Sequence, residues 1–111
     1  MEARGVRDQM IVATKYTTNF RMGTDPKALQ SNYTGNNTKS LHVSLEASLK
    51  KLKTSYIDVL YVHWWDWTAS IPEVMKSLNT AADQGKILYL GMSTSSQHMP
   101  HCPRLTSPAD F

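Results

Sequence analysis

The sequence predicts an α/β fold built on parallel strands, and three observations carry that expectation. Strand and helix signals alternate through the middle of the chain in the order β-α-β-α-β, the pattern of a parallel sheet with crossover helices. The strand segments are apolar runs without polar alternation, as suits strands covered on both faces. The stretches between them repeat apolar residues at three- and four-residue spacing, one stripe per helix.

The first strand is read in Met10-Ile11-Val12-Ala13-Thr14, ending at Lys15. A polar stretch rich in Thr, Asn and Gly follows from Tyr16 to about Asn37, long for a connection inside a compact domain. The first helix starts near Thr38 to Ser40, with Leu41, Leu45, Leu49 and Leu52 on one stripe, and Lys53-Thr54-Ser55 breaks it. Lys50, Lys51 and Lys53 fall at that end, where cations complement the helix dipole. Tyr56 to Val62 reads as the second strand and runs into His63-Trp64-Trp65-Asp66. Ser70 and Glu73 form an S-x-x-E capping box for the second helix, and Pro72 sits in its first turn, where a missing N–H is harmless. Ile71, Val74, Met75, Leu78 and Ala82 line one face, and Gly85 offers a left-handed stop. The third strand covers Ile87 to Ser93. From Thr94 the periodicities end and three prolines fall between positions 100 and 108. Residues 1–93 are therefore expected to form the folded part and residues 94–111 an irregular, disordered tail.

Composition narrows the class. Among 111 residues, 41% are hydrophobic and 19% charged, a globular balance that excludes a disordered or membrane-embedded chain. No apolar run is long enough to span a bilayer, and the start MEARGVRDQM has no apolar h-region, so the expected location is cytoplasmic, with no membrane partner. The single Cys102 cannot close an intramolecular disulfide. The net charge of +3 is spread along the chain, which gives no footing for nucleic acid.

In parallel β/α folds, ligands bind where the carboxyl ends of the strands lead into loops. That rule selects Lys15, His63 and Ser93, each at the end of one expected strand. A solvated lysine and a packed histidine are the alternatives for the first two. No dinucleotide-binding G-x-G-x-x-G, no phosphate-binding G-x-x-x-x-G-K-[ST] and no G-x-S-x-G occurs. His98, His101 and Cys102 have metal-like spacing but no evident fourth ligand, so no metal is expected. Trp64, Trp65 and Trp67 suit a hydrophobic pocket wall better than base stacking.

Arg7-Asp8 followed by Ile11 to Lys15, Ser40-Leu41-His42 with Ser48 to Leu52, Tyr56 to Asp66 with its HWWD ending, and Gly85 to Ser93 together carry a family pattern. They resemble the aldo-keto reductases, strands three to five, and the HWWD ending resembles the fungal aryl-alcohol dehydrogenase branch. The similarity covers about residues 3 to 93. It implies a partial (β/α)8 TIM barrel, with about three parallel strands and two helices of the eight-fold repeat. It also implies NADP as cofactor, an NADP(H)-dependent oxidoreductase function, and aryl or other hydrophobic aldehydes, ketones or alcohols as small-molecule substrates. By the same resemblance Lys15 and His63 are catalytic, Ser93 binds the nicotinamide carboxamide, and Trp64 and Trp65 line the substrate pocket. The family's proton donor is a tyrosine whose free pKa is roughly 10, and a neighbouring ammonium lowers it. That tyrosine and its partner aspartate precede the third strand, and Tyr16 does not occupy the family position. The alternative expectation is accordingly a truncated, catalytically inactive fragment, or one that acts by associating with full-length relatives.

Overall fold

A computed structural model of the protein describes residues 5–21 and 29–93. The expected tail over 94–111, with His98, His101 and Cys102, lies outside the described residues. The elements run β1 (Ala13–Tyr16), α1 (Thr38–Leu52), β2 (Ile57–Val62), α2 (Ile71–Asp83) and β3 (Ile87–Met92), with 3-10 turns at Arg7–Gln9 and Gln30–Tyr33. The three strands form one parallel sheet in the order β1-β2-β3. Among the described residues no helix is long and apolar enough to cross a membrane.

Local chemistry fixes each helix. Asn37 caps α1 by accepting from the Ser40 N–H at 2.8 Å, and the helix begins at Thr38, the near end of the expected start between Thr38 and Ser40. Lys53 ends α1 in the left-handed region at φ 52, and Thr54 N–H donates back to Leu49 O. Leu41, Leu45 and Leu49 are buried as the stripe requires, each contributing roughly 2 kcal/mol relative to exposure. In α2 the capping box is half made. Ser70 Oγ accepts from Glu73 N–H, but the Glu73 carboxylate accepts from Thr38 N–H and Thr38 Oγ1, joining the starts of the two helices. The buried face of α2 is Val74, Met75, Leu78 and Ala81, not Ala82, which is half-buried. Gly85 takes φ +73 beyond the helix end, as a left-handed stop demands. The Lys86 ammonium pairs with Glu46, linking the start of β3 to α1.

The helices share a core with one face of the sheet, through Tyr16, Ile57, Leu60, Val62 and Ile87. Buried positions in β2 fall at 57, 60 and 62 rather than at alternate residues. The cause is a two-on-one step in the ladder, since Asp58 N–H and Val59 N–H both donate to Val12 O. The expected first strand is shorter than its apolar run. Val12 N–H donates to the Asp58 carboxylate instead of a neighbouring strand, so pairing begins at Ala13, and Ile11 is left 81% exposed.

Asp58 also pairs with Arg7 at 2.8 Å. The same guanidinium donates to Thr54 Oγ1, Tyr56 O and Met10 O and lies 3.9 Å from the Tyr56 ring centroid. The bond from Val12 N–H, and after it the Arg7 charge, hold the Asp58 carboxyl below the usual carboxylate range. A depressed folded-state pKa stabilises the fold above the unfolded value of about 3.9 and ceases to do so as pH falls through the lower folded value. Asp58→Asn should therefore lower stability at neutral pH and flatten the loss of stability on acidification, as measured by urea unfolding between pH 7 and pH 2.

Candidate active site at the carboxyl edge of the sheet

The parallel register carries the three expected strand-end residues to one edge. Lys15 pairs with Tyr61, and Tyr61 with Gly91, in a row across all three strands. The ladder continues one step further. His63 N–H donates to Tyr16 O at 3.2 Å, and Ser93 N–H donates to Val62 O at 2.9 Å. Lys15 is exposed, whereas His63 and Ser93 are half-buried. Tyr61 lies against Gly91 so closely that a Cβ at position 91 would stand 2.5 Å from its Cε1. A side chain there would displace the ring, which accounts for a glycine inside a strand.

The loop after β1 meets the loop after β2 through Thr18 and Asn36. Thr18 Oγ1 lies 3.0 Å from His63 Nδ1 and accepts from Trp64 Nε1 at 3.1 Å. Asn36 is fully buried; its Nδ2 donates to Thr17 Oγ1 and Trp64 O, each at 2.9 Å, and its Oδ1 accepts from Asp66 N–H at 2.7 Å. The Asp66 carboxylate in turn accepts from Asn36 N–H and from the Thr68 N–H and hydroxyl. Gly35 precedes this latch at φ +88, and a Cβ there would collide with Asp66 Oδ2.

The tryptophans divide. Trp64 is half-buried at the edge, Trp65 is 7% exposed within the hydrophobic core, and Trp67 is 65% exposed. Tyr16 is 2% exposed, with its hydroxyl 3.5 Å from Asn36 O. Burial pushes its phenol well above the ordinary tyrosine value, and the ring packs in the hydrophobic core.

Sequence reasoning missed Thr18, Asn36 and Tyr61. Tyr61 was recoverable, because it stands two residues before His63 and side chains in strands alternate. Nothing in Gly35-Asn36-Asn37 distinguishes the asparagine that is buried from the one that caps a helix.

Residues 1–107 match the aldo/keto reductase family. The aryl-alcohol dehydrogenase [NADP(+)] of Phanerodontia chrysosporium is 53% identical over 95 residues, covering 84% of this chain and 25% of that protein. Norsolorinic acid reductase B of Dothistroma septosporum is 53% identical over 93 residues, and the norsolorinic acid reductase of Aspergillus flavus 54% over 93; each alignment covers 84% of this chain and 24% of the relative. The chain spans about a quarter to a third of the length of the curated relatives it matches.

The Asn36 latch generates a stability prediction. Asn36→Asp keeps the shape and the acceptor but removes both side-chain donors, leaving Trp64 O without its partner beside a new buried charge. The expected loss is about 3 kcal/mol, at the upper end of the cost of unmet buried polar groups. Equilibrium urea unfolding of parent and variant measures it; a loss within error of zero would remove the latch role.

Proposed function

The chain belongs to the aldo/keto reductase family, and from that premise we propose that it contributes Lys15, His63 and Ser93 to an NADP(H)-dependent oxidoreductase centre. The reaction interconverts an aldehyde or ketone with the corresponding alcohol. What supports this reading most directly is the row of strand ends: Lys15 at β1, His63 just past β2 and Ser93 just past β3, joined by the Tyr16–His63 and Val62–Ser93 backbone bonds.

The cofactor suits the residues present. Ser93 carries a hydroxyl that can both donate and accept, which a carboxamide requires, and it follows Gly91 and Met92 at the edge where parallel β/α folds bind ligands. The chemistry a nicotinamide would supply there, when held by Ser93, is hydride transfer to or from the substrate carbon. The chain's own side chains handle orientation and the proton. The Lys15 ammonium would stabilise the phenolate of a proton-donating tyrosine, making that phenol acidic enough to act near neutral pH. Tyr16 is not that tyrosine, for the burial already given. His63 orients the carbonyl oxygen. Aryl or other hydrophobic substrates fit Trp64 at the edge, with Trp65 supporting the wall from the core; the names of the aryl-alcohol dehydrogenase and norsolorinic acid reductase relatives point the same way.

A second reading, that the chain does not act alone, is favoured by the sheet itself. The described sheet has three strands, and closing a barrel of this class takes eight. Ile11 and Tyr89 are 81% and 67% exposed, apolar surface that further strands of a complete barrel, or a full-length relative, would cover.

Both readings meet in one experiment, an assay of NADPH oxidation with an aryl aldehyde. The 111-residue chain is compared with a chimera in which residues 3–93 replace the matching segment of a full-length relative. The chimera is expected to turn over and the chain alone to be inactive. In the chimera Lys15→Met should lower kcat by about 10²–10⁴, the range for a disabled general acid, and His63→Ala by less. An unaffected Lys15→Met chimera would remove the lysine from the mechanism.

A further inference from the structure

On the reductase reading above, we propose that Thr18 is a positioning residue that fixes the tautomer of His63, holding Nδ1 as an acceptor and the ring hydrogen on Nε2. Thr18 follows β1, and its hydroxyl stands between two rings that follow β2, 3.0 Å from His63 Nδ1 and 3.1 Å from Trp64 Nε1. An indole N–H can only donate, so Trp64 places its hydrogen on Thr18 Oγ1. The hydroxyl then has one hydrogen of its own to direct. Donation to Nδ1 completes a one-way chain, Trp64 to Thr18 to His63, in which each bond polarises the next. In the opposite tautomer both lone pairs of the oxygen would accept and the hydroxyl hydrogen would turn to solvent, so the one-way chain would not form.

A neutral imidazole whose Nδ1 accepts carries its hydrogen on Nε2. Nε2–H is the form of the ring that can donate to a carbonyl oxygen, and the bond strengthens as negative charge develops there during reduction. A bare Nε2 lone pair would instead repel that oxygen. The neighbouring Thr17 cannot substitute, because it is fully buried and accepts from Asn36 Nδ2. The same asparagine holds Trp64 by its carbonyl, so the donor at the head of the chain is itself fixed.

The test reads the tautomer directly and turnover separately. The 111-residue chain and the chimera carrying residues 3–93 are labelled with ¹⁵N-histidine, and His63 is assigned by its disappearance in His63→Asn. Long-range ¹H–¹⁵N spectra, taken at a pH where the ring is neutral, are expected to show Nδ1 unprotonated and Nε2 protonated in whichever host is folded. Thr18→Val keeps the shape but removes the hydroxyl, and should shift His63 toward a mixture of tautomers. In the chimera it should lower kcat about tenfold with little change in KM, the size of one lost hydrogen bond of ordinary strength. Thr18→Ser should restore both readings, and Trp64→Phe should weaken the tautomer preference while the hydroxyl remains. A protonated Nδ1 in the parent, or a ¹⁵N pattern unmoved by Thr18→Val, overturns the assignment. A chimera with the expected ¹⁵N pattern but no turnover supports the tautomer and overturns the reductase reading instead.

Discussion

The buried amide of Asn36 donates to Thr17 Oγ1 and Trp64 O and accepts from Asp66 N–H, and those bonds tie the loop after β1 to the loop after β2. Neither loop belongs to the sheet, so strand pairing alone would not fix their separation. An amide with no exposure must find its partners inside the protein, since each group left unpaired costs about 1–3 kcal/mol. That penalty is what makes the latch specific. It can close only if both loops arrive together, and it can arrive only if Gly35 takes the left-handed turn that brings its neighbour against Asp66. His63 and Trp64 stand on the segment so held, which places the accuracy of the edge in a residue with no chemistry of its own.

The opposite end of the sheet is secured by different means. There Arg7 and Asp58 form an ion pair in which the guanidinium also meets a hydroxyl, two backbone carbonyls and an aromatic face, while the carboxylate also accepts from Val12 N–H. An ion pair at a surface is worth little, but this one is largely covered and further hydrogen bonds to both partners hold it in place. It also stops the β1–β2 ladder at Ala13. The two ends thus separate their tasks: an ion pair and backbone bonds set where the sheet begins, and the Asn36 amide with the Asp66 carboxylate sets the loops where ligands would approach, an edge that keeps Lys15 exposed.

Most of the framework was legible in the sequence because it follows from periodicity. The leucine stripe of α1, the serine cap of α2 and the three apolar runs each report a local rule that tertiary structure did not override. The boundaries were less legible where a distant group competed. The Val12 N–H is turned from the ladder because Asp58, 46 residues away, accepts it, and the Glu73 carboxylate leaves its own cap for Thr38. The strand-end rule, which needs only topology, put Lys15, His63 and Ser93 at one edge of the sheet, and that is where they lie. Thr18 and Asn36 were not, since their importance lies in which loop faces which, and no spacing within one loop encodes that. The burial of Trp65 was missed for the same reason: adjacent tryptophans look equivalent until the core claims one of them.

The row Lys15, Tyr61 and Gly91 connects these two levels. Glycine inside a strand sacrifices roughly 0.5–1 kcal/mol relative to alanine through backbone entropy, so position 91 is locally unfavourable. Its compensation is steric, because the Tyr61 ring occupies the space a Cβ would fill. That packing holds the ring against β3, while Tyr61 is the register partner of Lys15 on β1. Position 61 therefore stands mid-row, its backbone beside the lysine's strand and its ring packed on the strand leading to Ser93. A side chain at Gly91 would displace this ring, and the packing between β2 and β3 would change at the register partner of the lysine without any change at the lysine itself.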